Sequence, residues 1–201
     1  MKKIGIMGGT FNPIHLGHLA IAQTAMEEMK LDRVLFIPNA SPPHKEISKD
    51  EMSGEHRINM VKLAVEDNSN FKICTIESFG GKREYTVNTL RNLRALFPSD
   101  EFYFIAGSDA LVGMSNWKSP GEIFAQCRVV VTHRAGESKS EFNRAAENLR
   151  NAYNAEIFVI NMPPLDISST QIRKKIAAGE SVKHLVPDRV GKYISDEKLY
   201  V

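Results

Sequence analysis

The stretch KIGIMGGTFNPIHLGH, residues 3–18, joins a short apolar run to a glycine-rich turn and then to a helical pattern. The run at 3–7 has the length of a buried strand, and apolar residues recur with helical spacing from 16 to 29. A strand that leads through a short turn into a helix is the first half of a βαβ unit. This stretch therefore predicts an α/β fold.

The same alternation continues along the chain. We predict strands at 3–7, 33–37, 71–76, 102–106, 128–132 and 156–160. We predict helices at 16–29, 55–66, 86–97, 141–152 and 169–178. Strands separated by helix-length connections form parallel sheets with right-handed crossovers. We therefore expect residues 1–201 to form a single doubly wound, Rossmann-like domain with a mostly parallel sheet.

The composition narrows the class of protein. Of 201 residues, 42% are hydrophobic and 25% are charged, and the formal net charge is only +2. Such a balance is typical of a globular protein without bulk attraction to nucleic acid or membranes. Cys74 and Cys127 form no CxxC motif, which favours reduced thiols, and no apolar stretch has membrane-spanning length. We expect a cytoplasmic protein that binds neither nucleic acid nor membrane, and a homo-oligomer is compatible with this sequence.

The turn after the first strand carries residue types that suit a phosphate. Gly8 and Gly9 allow a ligand to approach the backbone, and Thr10 adds a hydroxyl. His15 and His18 are three residues apart at a helix start, where free N–H groups favour anions. We predict an anion site here, in preference to a plain turn with ordinary histidines. A zinc site is the weaker alternative because no third ligand has suitable spacing.

A second segment, ISSTQIR at residues 167–173, also predicts a helix start with polar donors. Ser168 precedes Gln171 by three residues, which is the spacing of a capping box. Ser169 and Thr170 would present further donors, and Arg173 would add a forked contact for phosphate one turn later. A plain surface helix start explains the cap but not Arg173.

The two segments resemble the (T/H)xGH and ISSTxIR signatures of a nucleotidyltransferase superfamily, which transfers a nucleotidyl group from a nucleoside triphosphate. Further similar segments are SPPHK at 41–45, EYTVNTL at 84–90, AGSDALV at 106–112 and Trp117. Together they cover nearly the whole chain and resemble the bacterial nicotinate-nucleotide adenylyltransferases. The pairing of HxGH with ISSTxIR is highly specific, whereas each other segment alone would be weak.

The resemblance implies an enzyme of NAD biosynthesis. It would transfer the adenylyl group of ATP to the 5′-phosphate of nicotinate mononucleotide, giving nicotinate adenine dinucleotide and pyrophosphate. Since the attacking phosphate is already an anion, no general base is needed, and catalysis depends on positioning and charge stabilisation. Mg²⁺ would arrive with ATP, so no dedicated protein metal site is predicted.

The resemblance also implies the site residues. His15 and His18 would be catalytic and hold the triphosphate, with His18 stabilising charge in the transition state. Asp109 would bind a ribose, with a helix N-cap as the alternative, and Trp117 would stack on the pyridine ring, with core packing as the alternative. The other residues implied for ATP are Gly8, Gly9, Phe11, Gly107, Ile167, Ser168, Ser169 and Arg173. Those implied for the mononucleotide, besides Asp109 and Trp117, are Thr10, His44, Lys45, Tyr85 and Thr86.

Two positions depart from the family pattern. Asn12 stands where Asp is frequent, and Glu84 stands where Ser commonly precedes Tyr-Thr. Thr86 is a plausible N-cap, and the first N–H groups of its helix would then face the substrate ring. A carboxylate there gains charge-assisted hydrogen bonds, so we predict a preference for nicotinate over nicotinamide mononucleotide. We expect Glu84 to turn toward solvent or to pair with Lys82 or Arg83.

Other functions are compatible with some of these sequence motifs. A pantetheine-phosphate adenylyltransferase or a cytidylyltransferase would share the signatures, but PPHK, the Tyr-Thr pair and Trp117 oppose both. A class I aminoacyl-tRNA synthetase has a similar HxGH element, but this chain lacks room for a tRNA-binding domain. A nucleotide sensor without turnover is opposed by the presence of both histidines and Arg173.

Overall fold

The computed structural model describes residues 1–39, 53–77, 85–132, 139–163 and 165–201. Two residues predicted to bind the mononucleotide, His44 and Lys45, lie outside these ranges. The same holds for Glu84 and for its expected partners Lys82 and Arg83.

Six strands form one sheet in the described part of the chain, with every neighbouring pair parallel. They are β1 (Lys3–Gly9), β2 (Arg33–Pro38), β3 (Phe71–Ile73), β4 (Glu101–Gly107), β5 (Cys127–Thr132) and β6 (Ile157–Ile160). Their order is β3-β2-β1-β4-β5-β6, and Ile4 pairs with Arg33 on one side and Phe102 on the other. The chain therefore winds outward from β1 in both directions, which is the doubly wound topology. The α/β prediction is confirmed, with a fully parallel sheet.

The described residues also form eight α-helices and one short 3₁₀ helix. The α-helices are α1 (Leu16–Met29), α2 (Gly54–Val65), α3 (Thr86–Leu96), α4 (Ser108–Gly113), α5 (Pro120–Gln126), α6 (Lys139–Tyr153), α7 (Ser169–Ala177) and α8 (Asp188–Asp196), and the 3₁₀ helix is Met114–Asn116. We had not predicted α4, α5 or α8. The first two have six and seven residues, too few to establish a helical period, whereas Val190 and Ile194 of α8 are buried with helical spacing.

The core lies on both faces of the sheet because side chains of a strand alternate in direction. On one face Phe102 and Phe104 of β4 pack with Ile4 and Leu90. On the other face Ile105 packs with residues of α1, α2 and α8. Helices therefore cover both faces and leave the carboxyl ends of the strands as the place for a ligand. Among the described residues, none of the helices combines the length and apolar character needed to cross a membrane.

Candidate active site

The turn between β1 and α1 is compact and buried. Phe11 is only 3% exposed and has a φ of 48°, in the left-handed region that bulky residues avoid. Its ring lies 3.1 Å from the position a Cβ of Gly9 would take, so a side chain at residue 9 would collide with it. The close approach of the buried Phe11 ring therefore favours glycine at this position.

The two histidines of the turn stack on each other. Their ring centroids are 3.7 Å apart with an interplanar angle of 30°. His15 is the N-cap of α1 and is buried, and its backbone N–H donates to Nδ1 of His18 over 3.2 Å. The Phe11 ring meets His18 edge-on at 5.1 Å. A Cβ on Gly17 would lie 3.0 Å from His15 Nδ1, which explains the glycine in His-x-Gly-His.

The hydrogen bond between the two histidines determines which nitrogen of His18 carries a proton. An N–H group donates to Nδ1, so Nδ1 offers its lone pair and the proton of a neutral ring is on Nε2. His18 lines a cavity of about 660 Å³, and His15 is not among the residues that line it. His18 can therefore act as a hydrogen-bond donor to a ligand, with His15 fixing its orientation.

One donor expected at the start of α1 has another partner. The backbone N–H of Leu16 donates to the carbonyl of Leu185 over 2.9 Å. This first N–H group of the helix is therefore used to hold α1 against the chain before α8. The anion-binding capacity predicted for the turn depends on Gly8, Gly9, Thr10 and the imidazole groups.

A cavity of about 660 Å³ lies at the carboxyl ends of β1 and β4, where the topology switches direction. Eight of the residues singled out in the sequence line it: Gly8, Gly9, Thr10, His18, Tyr85, Thr86, Gly107 and Trp117. The structure thus brings together the first signature and the segments at 84–90, 106–112 and 117. The cavity has polar donors at the β1–α1 turn and aromatic rings at its other end.

The aromatic end is formed by Tyr85 and Trp117. The half-buried Trp117 packs edge-on against Phe104, with centroids 5.8 Å apart, and still lines the cavity. Lys118, which the sequence analysis did not single out, lines the same cavity with its Nζ 4.5 Å from the centre of the Tyr85 ring. Its position next to Trp117 in the sequence could have indicated that it lies at the same site.

The start of α3 differs by one residue from the prediction. Tyr85 is the N-cap, with extended φ and ψ of −105° and 144°, and Thr86 is the first helical residue. The prediction of Thr86 as N-cap was therefore wrong. The side chain of Tyr85 makes no cap hydrogen bond to the first N–H groups of α3.

The second signature begins a helix as predicted. The Ser168 hydroxyl accepts from the backbone N–H of Gln171 over 3.2 Å, and the Gln171 side chain accepts from the backbone N–H of Ser168 over 3.1 Å. This reciprocal pair is a capping box at the start of α7. Local sequence therefore determines where α7 begins.

Residues of α7 contact the β1–α1 turn rather than the cavity wall. The Ser169 hydroxyl donates to the carbonyl of Pro13 over 2.8 Å, and Nη1 of Arg173 donates to the carbonyl of Asn12 over 2.7 Å. Neither residue lines the cavity. The two signatures are therefore joined by direct hydrogen bonds, and contact of Ser168, Ser169 and Arg173 with ATP stays a prediction.

The remaining ATP candidates lie at two places. Asp109 is an exposed residue in the first turn of α4, and Gly107 is the N-cap, so the alternative of Asp109 as N-cap was wrong. Ile167 lies beside Gly17. Its Cβ is 3.7 Å from the position that a Cβ on residue 17 would take. Among the residues described here, neither Asp109 nor Ile167 lines the cavity, and their roles stay predictions.

Arg57 of α2, which was not predicted from the sequence, supports the cavity from the protein interior. Arg57 is 3% exposed, and its Nη1 donates to the carbonyls of Thr10 and Asn39 over 2.8 and 2.6 Å. It thereby ties the turn to the end of β2. Arg57 stands among the apolar positions of α2, and this position could have indicated its role, because a buried guanidinium must have hydrogen-bond partners.

A second missed contact lies at the aromatic end. Glu77 and Thr89 are both buried and line the cavity, and the Thr89 hydroxyl donates to the Glu77 carboxylate. This hydrogen bond fixes the first turn of α3 to the segment after β3. No sequence motif pointed to the pair, because it joins residues on two separate elements.

Comparison with known proteins agrees with this geometry. Residues 6–175 match the cytidylyltransferase-like family. The chain is 40% identical to a probable nicotinate-nucleotide adenylyltransferase of Geobacter sp. strain M21, over 99% of this chain and 98% of that protein. It is also 40% identical to one of Carboxydothermus hydrogenoformans, over 98% of each.

The fold has a counterpart among solved structures. Nicotinic acid mononucleotide adenylyltransferase of Plasmodium falciparum, solved as a complex with NaAD, superposes with a TM-score of 0.81 at 20% identity. The alignment covers 100% of this chain and 98% of that one. The family match and the sequence relatives show that the chain belongs to the cytidylyltransferase-like family and, within it, to the nicotinate-nucleotide adenylyltransferases.

Proposed function

We propose that this protein transfers the adenylyl group of ATP to the 5′-phosphate of nicotinate mononucleotide, giving nicotinate adenine dinucleotide and pyrophosphate in NAD biosynthesis. The observation that carries the proposal is the two-ended cavity. Its polar end, with Gly8, Gly9, Thr10 and His18, suits phosphates, and its aromatic end suits a ring. The names of the relatives support the same reaction.

We assign stabilisation of the transition state to His18. An oxygen of the mononucleotide phosphate attacks the α-phosphorus of ATP, the bond from that phosphorus to the bridging oxygen breaks, and pyrophosphate leaves with the bonding electrons. The Nε2–H of His18 donates to the phosphate oxygens and stabilises their charge in the transition state. His18 is a poor nucleophile because its Nδ1 lone pair accepts from His15 and its Nε2 carries the proton.

The mononucleotide lies with its ring at the aromatic end. Trp117 supplies a face for stacking, and the ring carboxylate lies near the N–H groups of α3 and the ammonium of Lys118. Tyr85 and Thr86 begin that helix. Thr10, together with His44 and Lys45 beyond the described residues, binds the phosphate.

ATP lies along the other side of the β1–α1 turn. The turn contains Phe11 and His15, and the second signature is hydrogen-bonded to it. A triphosphate bound along the turn therefore reaches Ser168, Ser169 and Arg173. Gly107 and Asp109 at the end of β4 hold its ribose. Ile167, beside Gly17, completes this set.

Magnesium enters as part of the ATP substrate. In the described ranges, no group of three or more His, Cys, Asp or Glu side chains is placed to hold a metal. Mg²⁺ is usually bound by substrate phosphates and keeps several of its waters, so we propose that it enters with ATP. We place the reaction in the cytoplasm, in keeping with two free thiols at Cys74 and Cys127.

A pyrophosphate-release assay tests the proposed function. Each mixture contains the protein, Mg²⁺, ATP and one acceptor. The acceptors are nicotinate mononucleotide, nicotinamide mononucleotide and 4′-phosphopantetheine. A parallel set contains CTP in place of ATP. We expect the highest kcat/KM with ATP and nicotinate mononucleotide. A higher value with phosphopantetheine or CTP would identify another transferase of the superfamily. ATP binding by calorimetry without pyrophosphate release from any mixture would identify a sensor.

A further inference from the structure

The β1–α1 turn has a backbone conformation that needs support. Phe11 has a positive φ of 48°, and a bulky residue persists there only when its surroundings determine the conformation. The conformation has a consequence for the site, because it brings the Phe11 ring against His18. Any contact that holds the residues beside Phe11 therefore also affects the position of His18.

Side chains from three separate elements hold these neighbouring residues. Arg57 of α2 donates to the carbonyl of Thr10, and Arg173 of α7 donates to that of Asn12. The third contact comes from the segment after α8, where the hydroxyl of Tyr200 donates to Oδ1 of Asn12 over 2.6 Å. Asn12 is thus held at its backbone and at its side chain by residues more than 150 positions away.

The end of the chain is itself fixed. Leu199 is 7% exposed within the core, and its backbone N–H donates to the carbonyl of Ile194 over 3.0 Å. Tyr200 packs partly into the same core and has a left-handed φ of 67°. The hydroxyl of Tyr200 is therefore supported from a well-anchored segment.

We propose that Tyr200 is a positioning residue for adenylyl transfer: through Asn12 it fixes the turn that places Phe11 against His18. The inference rests on the proposed function, since its effect is seen in turnover. Tyr200 is not among the residues that line the cavity, and its hydroxyl proton is already donated to Asn12, so we infer that it acts through Asn12.

The electrostatic surroundings of Tyr200 agree with a donor role. Burial raises the pKa of its hydroxyl above the ordinary value for tyrosine, although Arg173 and Arg57 both lower it. The hydroxyl therefore stays protonated at neutral pH. This proton is the one that the hydroxyl donates to Asn12.

The test is a double-mutant cycle on kcat with Tyr200→Phe and Asn12→Ala, using ATP and nicotinate mononucleotide. The phenylalanine keeps the packed ring and removes only the hydroxyl. We expect Tyr200→Phe to lower kcat by about five- to tenfold, as for loss of one hydrogen bond, with both KM values little changed. In the Asn12→Ala background the same change should have no further effect on kcat, because the hydroxyl has lost its partner.

Tyr193→Phe is the matched control. The Tyr193 hydroxyl lies 2.8 Å from His56 Nδ1 and 3.2 Å from Asn59 Nδ2, which joins α8 to α2. This variant should lose stability in urea and keep the kcat of the wild type. A Tyr200→Phe kcat within twofold of the wild type, or equal losses in both Asn12 backgrounds, would overturn the proposal. Absence of turnover by the wild type would instead refute the proposed function.

Discussion

The two ends of the cavity are built differently. At the β1–α1 turn, Phe11 and His15 are 3% and 7% exposed. Side chains of α2 and α7 donate to backbone carbonyls of the turn, and Tyr200 of the C-terminal segment donates to the side chain of Asn12. At the aromatic end, Tyr85 and Trp117 are half-buried and Lys118 is exposed. These three side chains make ring contacts, and a buried hydrogen bond from Thr89 to Glu77 fixes the start of α3.

This difference matches the demands on each end. Stabilising charge in a transition state requires donors that are already in place, whereas holding an aromatic ring requires mostly contact area. We therefore expect substitutions at the turn to lower kcat and substitutions at the aromatic end to raise KM for the mononucleotide.

The largest effect is expected for His18→Ala. Loss of one preorganised donor at a developing charge lowers kcat by roughly 100- to 1,000-fold, whereas ATP binding should change far less. Steady-state kinetics and calorimetry measure the two quantities. A kcat within a few-fold of the wild type would contradict the role of His18.

Two further variants sharpen this result. His18→Gln keeps an N–H donor near the position of Nε2 and should retain more activity than His18→Ala. His56→Ala removes a histidine of α2 that contacts Tyr193, and it should leave kcat unchanged.

The next largest effect is discrimination between the acid and the amide. Hydrogen bonds to a charged group are worth about 1.5–3 kcal/mol, so kcat/KM for nicotinate mononucleotide should exceed that for nicotinamide mononucleotide by roughly 10- to 100-fold. Lys118→Met should reduce this ratio by about two- to fivefold, the usual range for an exposed charge pair. Lys72→Met on β3 is the control. A ratio at or below one in the wild type would refute the acid preference.

Arg173→Lys should weaken ATP binding by about tenfold, because an ammonium cannot reproduce a planar, two-pronged contact. KM for the mononucleotide should change little. Separate titrations of the two substrates make this comparison. If affinity for both falls equally, the bond from Arg173 to the Asn12 carbonyl accounts for its entire role, and ATP contact was misassigned.

A smaller effect than that of Arg173→Lys is expected at Trp117. Trp117→Leu should raise KM for nicotinate mononucleotide by about two- to tenfold and leave kcat unchanged, since an aromatic pair contributes about 0.5–1.5 kcal/mol. In the wild type, mononucleotide binding should change the fluorescence of this single tryptophan. An unchanged spectrum where calorimetry detects binding would favour core packing as its main role.

Sequence patterns predicted the elements that local order determines. All six strands and the helix Leu16–Met29 follow from apolar periodicity, and the capping box at Ser168 follows from a three-residue spacing. The short helices α4 and α5 were not predicted, because one or two turns are too short to show a helical period. Strand β3 ends at Ile73, three residues before the predicted end, because pairing with β2 stops there.

Tertiary contacts within the site were not predictable in the same way. Sequence resemblance pointed to His18 and Trp117, which the fold brings to one cavity. Arg57 and Tyr200 act on carbonyl and amide oxygens of the turn, and such contacts leave no spacing pattern in the sequence. The stacking of His15 on His18 likewise became evident only with the geometry of the turn.

Direct transfer, with His18 as a donor rather than a nucleophile, is the central claim of this account. It is tested by the stereochemical course at the α-phosphorus, using ATP with a chiral α-phosphorothioate and nicotinate mononucleotide. A single displacement by the mononucleotide phosphate predicts inversion of configuration in the dinucleotide product. Retention would show two displacements through a covalent adenylyl-enzyme and would contradict the assignment of His18.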